Sequence, residues 1–98
     1  MIRHMFISPI KEGATEEQVN DFINAMCLLP DKISEIIQMS VGKNLGLLGE
    51  MIAVASVADF ENEKDWKAYM EHPEHLLLAK IAADIFDIPS SAIAQIQD

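Results

Sequence analysis

The stretch MIAVASVA, Met51–Ala58, is apolar on both sides of any strand it forms. Side chains alternate across a strand, so Met51, Ala53, Ala55 and Val57 point one way and Ile52, Val54, Ser56 and Ala58 the other. Neither row reads as a solvated face, and a strand of this kind belongs in a sheet covered on both sides. The rest of the chain has to supply that cover.

The flanking segments alternate between the two regular periods. Ile2–Ile10 reads as a short strand cut by Pro9, which lacks the N–H of a ladder bond and so belongs near an edge or a strand end. Gly13 marks a turn. TEEQVNDFINAMCLL (15–29) opens with a capping-box pattern, Thr15 and Gln18, and carries Val19, Phe22, Ile23 and Met26 at one-face helical spacing. Beyond Pro30, residues 34–44 read as a second strand with an apolar row of Ile37, Met39 and Val41, ending in Gly42 and Asn44. A third strand is expected over 46–60. Asn62 suits the N-cap of a helix over 63–72 with Trp66, Tyr69 and Met70 on one face. Pro73 disfavours helical geometry at His72 and suits the first position of a new helix, 73–86, with Leu77, Leu78, Ile81 and Ile85 expected inward. SAIAQIQ (91–97) is a last short strand.

This order, strand, helix, strand, strand, helix, strand, is the ferredoxin-like α+β pattern in one domain spanning 1–98. Right-handed crossovers place both helices on one face of an antiparallel sheet. The other face, apolar as well, is then bare, and burying it against a second copy at about 25 cal/mol per Å² is strongly favourable before association costs. A homodimer with sheets face to face is the expected assembly.

The formal charge of −9 opposes binding to nucleic acid or anionic lipid. No apolar run is long enough for a membrane span, and the N-terminus lacks a signal-peptide core, so a cytoplasmic location is expected. The single cysteine, Cys27, excludes an intrachain disulfide and is expected to fill the core.

The chemistry-bearing stretch is YMEHPEH, Tyr69–His75. Imidazole titrates near neutrality and phenol donates a hydrogen bond, a combination suited to removing a proton beside a carbonyl and stabilising the oxygen that becomes negative. On one uninterrupted helix Tyr69 and His75 would lie about 120° apart around the axis, so they converge only if the chain turns at His72 and Pro73. Plain structural readings exist beside this one. His4 on the helix side of its strand fits a buried, satisfied histidine, Tyr69 fits core, His72 fits a helix junction, and His75 fits the first turn of a helix. The spacing of His72, Glu74 and His75 matches no zinc pattern, and no metal is expected.

MIRHMFI at the start, the helix opening GATEEQ, SVGKN after the second strand and WKAYMEHPEHLLLA together resemble the stress-responsive dimeric A/B barrel family, Dabb, over nearly the whole chain. The resemblance implies ferredoxin-like protomers that pair into a dimeric α+β barrel. It also implies a cofactor-independent cyclase or lyase acting on a small, apolar, polyketide-like carbonyl compound, or else a non-catalytic stress-associated or ligand-binding homodimer. By resemblance His4, Tyr69 and His75 occupy the positions used in cyclase-type members, with His72 beside them; on the chemistry above His75 would be the base, Tyr69 the donor and His4 an orienting or second proton-transfer group, and His72, Phe6 and Met26 are expected against the substrate. Ser8 and Pro9 stand where many relatives continue a longer, more basic first strand, and Tyr69 is the only tyrosine.

Overall fold

Each expected cap and break has a physical counterpart in the computed structural model, which describes residues 1–98. The strand β1 (Ile2–Pro9) leads into the helix α1 (Glu16–Cys27), whose N-terminus carries the full capping box: Gln18 N–H donates to Thr15 Oγ1 and Thr15 N–H to Gln18 Oε1. Pro30 does not continue α1 but starts a single separate turn, α2 (Leu29–Lys32). The strands β2 (Gln38–Lys43) and β3 (Ala53–Phe60) form a hairpin. The helix α3 (Glu63–Glu71) is capped by Asn62 Oδ1, which accepts from Asp65 N–H. It gives way at His72 to α4 (Pro73–Ile85), and a 3-10 turn at Ile88–Ser90 leads to β4 (Ala92–Gln97).

The sheet is antiparallel throughout, with the order β2-β3-β1-β4. This is the ferredoxin-like α+β architecture. The register opposes His4 to Ala58 and Gln95, and Phe6 to Ser56 and Ile93. Paired residues share a face, so Ile2, His4, Phe6 and Ser8 all look toward the helices. There Val54, Ala58 and Phe60 of the sheet meet Val19, Phe22 and Met26 of α1, Tyr69 of α3, and Leu78 and Ile85 of α4 in one core. Met39 and Val41 of the apolar β2 row fall on this covered side, opposite Ala58 and Ser56, whereas Ile37 precedes the strand and is exposed.

Met5, Ile7, Ala55, Val57, Ala94 and Ile96 occupy the other face, where Ile7, Val57 and Ile96 are 44%, 37% and 47% exposed. The bidentate pair of Arg3 with Asp59, at 2.9 and 3.2 Å, closes one end of this apolar strip.

Several expectations need correction. The third strand begins only at Ala53, because Gly46 and Gly49 take positive φ (73° and 87°) and hold residues 45–52 as a loop, with Leu45, Leu47 and Leu48 almost fully exposed. Leu77 and Ile81 face outward. The buried phase of α4 is Leu78 and Ile85, with Ala82 packed against the core between them. Cys27 is exposed, since the inward row Val19, Phe22, Met26 leaves the next position about 100° away. Pro9 ends β1 as expected, and its carbonyl accepts from Asp87 N–H at 2.9 Å.

Candidate functional site

The helix break makes the site. Pro73 has no N–H, so the α3 hydrogen-bond ladder cannot pass through it. The Tyr69 carbonyl instead accepts from His72 N–H at 3.1 Å. Glu74 N–H would bond the Met70 carbonyl in a continuous helix, but here it donates to His72 Nδ1 at 3.1 Å and so caps α4. That leaves the Met70 carbonyl free, and His75 Nδ1 takes it at 3.2 Å. The ring is thereby turned back onto Tyr69, with centroids 4.4 Å apart.

A carbonyl only accepts, so His75 must carry its proton on Nδ1, and Nε2 is left with a lone pair. His4 is fixed the opposite way. Its Nδ1 lies 3.3 Å from Trp66 Nε1 and 3.0 Å from Gln95 Nε2, and an indole N–H only donates. His4 Nδ1 is therefore the acceptor, and the neutral ring bears its proton on Nε2. Burial lowers the basicity of both rings: for His4 desolvation leads and the charge of His75 adds to it, while for His75 desolvation outweighs the support of the Met70 carbonyl. Both are held neutral at pH 7 as complementary tautomers, one a donor at Nε2 and the other a base.

Tyr69 packs on Phe60 and edge-on against His4, and burial pushes its phenol up to about 12. The residue is 2% exposed, and no buried side-chain nitrogen or oxygen lacks a partner. The hydroxyl, which bonds no protein group, is thus not sealed in the core and opens onto the adjoining cavity.

That cavity, about 330 Å³, lies between the sheet and the helices and is lined by His4, Tyr69 and His75 together. Phe6 and Met26 line it too, and Phe22, Leu78 and Phe86 extend the apolar wall. The space exists because α4 turns Ala79, Ala82 and Ala83 toward it, methyl groups where longer side chains would fill the gap. No charged side chain lines it. His72 does not reach the cavity. Its ring caps α4, which is the helix-junction role the sequence offered for it and not the substrate contact. The alanine spacing and a serine pair at the far end, Ser8 and Ser91, were not read from the sequence; the recurrence of alanine at 79, 82 and 83 is the signal that marks the first. No group of three or more His, Cys, Asp or Glu side chains is placed to hold a metal ion, and no helix is long and apolar enough to cross a membrane.

Comparison with known proteins agrees with this architecture. A dimeric protein of ferredoxin-like fold from Bacteroides fragilis is 31% identical, with a TM-score of 0.85 over 99% of this chain and 95% of that one. A dimeric ferredoxin-like protein from Thermobifida fusca is 30% identical, with a TM-score of 0.88 over 99% and 90%. A hydroxynitrile lyase from Passiflora edulis shares the fold at 17% identity, with a TM-score of 0.84 over 97% and 90%. No curated protein matches the chain. The stress-responsive A/B barrel domain matches residues 2–92, nearly the full length, and the chain belongs to this family, Dabb.

Proposed function

We propose that the chain is a cofactor-independent enzyme that uses acid–base chemistry on a small, neutral carbonyl compound held in the cavity. The observation that carries the reading is the opposite partners of two histidines at Nδ1, a donor for His4 and an acceptor for His75, beside one phenol on a single apolar cavity. His75 Nε2 removes the proton next to the carbonyl, and its Nδ1–H, held on the Met70 carbonyl, stays in place as the ring becomes cationic. The oxygen that turns negative receives hydrogen bonds from Tyr69 O–H and His4 Nε2–H, donors fixed before the substrate arrives. The carbanion then attacks a second carbonyl in a ring closure, or the same steps run in reverse as a carbon–carbon cleavage, and His75 returns the proton. Low polarity around these groups strengthens each contact. The Passiflora edulis hydroxynitrile lyase is one enzyme built on this fold and supports a lyase or cyclase reading.

The working unit in this proposal is a homodimer. The open sheet face is an apolar surface that a second copy would cover, and the two relatives at 30% and 31% identity are described as dimeric.

The test is turnover of a panel of β-dicarbonyl compounds by the parent and by His75→Ala. Turnover by the parent that falls about a hundredfold or more in the variant is expected for loss of a general base. Equal rates in both would remove His75 from the role. Binding without turnover would leave the cavity as a small-ligand site and favour the non-catalytic reading.

A further inference from the structure

The cavity has a second polar end that the acid–base chemistry does not use. Ser8 sits on the helix side of β1, four residues from His4, so their Cα atoms are roughly 13 Å apart along the strand. Its side chain lines the cavity and the residue is 6% exposed. Ser91, just past the 3-10 turn, also lines the cavity. Its Oγ lies 2.9 Å from Ser8 Oγ and 3.2 Å from the Asp87 carbonyl. Between the two ends the wall is aromatic and aliphatic, with Phe6, Phe22 and Phe86.

The hydroxyl pair can be wired in two ways. If Ser91 O–H donates to Ser8 Oγ, the Ser8 proton is free to donate into the cavity. If Ser91 O–H donates to the Asp87 carbonyl, Ser8 O–H donates to Ser91 Oγ and Ser8 keeps lone pairs that accept. The pair therefore serves a carbonyl or a hydroxyl equally well. A cation or an anion finds no counter-charge there, because no lining side chain is charged.

We infer that Ser8 and Ser91 form a binding subsite for a neutral oxygen at the far end of an elongated ligand: a ketone at the histidine end, a flat or alkyl body, and a hydroxyl or second carbonyl at the serine end. The inference rests on reading the histidine end as the carbonyl end. It adds a selection rule to that reading. Compounds with a single polar end fill the apolar wall but leave the serine pair unmatched, and compounds carrying a carboxylate at the far end are excluded.

Calorimetric titration with two probes of matched length tests it: 4-(4-hydroxyphenyl)butan-2-one and the same ketone without the phenol, 4-phenylbutan-2-one. The parent is expected to bind the hydroxylated ketone about fivefold more tightly, the yield of one ordinary hydrogen bond. Ser8→Ala should bring the ratio to about one. A parent that does not discriminate, a preference that survives in Ser8→Ala, or failure of both probes to bind would each overturn the subsite. The parent ratio decides the matter even if Ser8→Ala folds poorly. Turnover of the β-dicarbonyl panel reads the proposed chemistry by a separate measurement, so a failure of that chemistry and a failure of the subsite are told apart.

Discussion

At the scale of single residues, the site depends on which partner each imidazole is given. Trp66 can only donate and the Met70 carbonyl can only accept, and these two facts set the proton positions on His4 and His75 without any appeal to substrate. Their burial has a consequence for stability. The unfolded chain binds protons at both histidines near the ordinary value of 6.5, while the folded chain resists because both are lowered. Stability from this source is therefore complete above about pH 6.5 and declines as pH falls through that value toward the folded-state values. The urea midpoint should be lower at pH 5.5 than at pH 7.5, and the gap should narrow in His75→Gln; an equal gap in both proteins would contradict the assignment. The residue types at the site were legible in the sequence, because two imidazoles and a phenol around a proline are conspicuous. Their proton positions were not, since Trp66 lies 62 positions from His4 and Gln95 lies 91.

At the scale of elements, the break between α3 and α4 does the positioning. Pro73→Ala restores the missing N–H and lets the two helices fuse, with Glu74 N–H recovering the Met70 carbonyl and His75 losing it. Turnover should fall while the thermal midpoint holds or rises, because alanine favours the helix; retained turnover would show that the break is not needed. His72→Ala removes a cap and should cost about 1 kcal/mol of stability with turnover intact, since the ring lies off the cavity. A loss of turnover without a loss of stability would restore His72 as a substrate contact. Caps and breaks were readable because each is a local rule: Thr15 with Gln18, Asn62 with the α3 N-terminus, and His72 before Pro73. The phase of α4 was not. LLLAKIAADIF is apolar nearly all round, so its sequence cannot tell which leucine turns inward, and only docking against α1 and the sheet selects Leu78 over Leu77. The late start of β3 escaped for a similar reason, because GLLGEMI is as apolar as a strand while two of its glycines adopt left-handed turns.

At the scale of the whole molecule, one sheet has two apolar faces and two fates. The helix side closes over a core and leaves a cavity beneath the alanines of α4. The other side is bare in a single chain, and the two-faced pattern of Met51–Ala58 already announced this. Sedimentation at micromolar concentration should give a two-chain species, and Val57→Glu, which sets a charge in the middle of the bare face, should give single folded chains. A folded single chain in the parent would contradict the dimer. The proposed chemistry depends on something more specific: a donor, His4 on β1, and a base, His75 on α4, preset on one cavity. Long-range nitrogen–proton NMR of the imidazole rings at pH 7.5 reads this directly. The account predicts a proton on Nε2 of His4 and on Nδ1 of His75; the reverse pattern at either ring, or a charged ring at that pH, would contradict it.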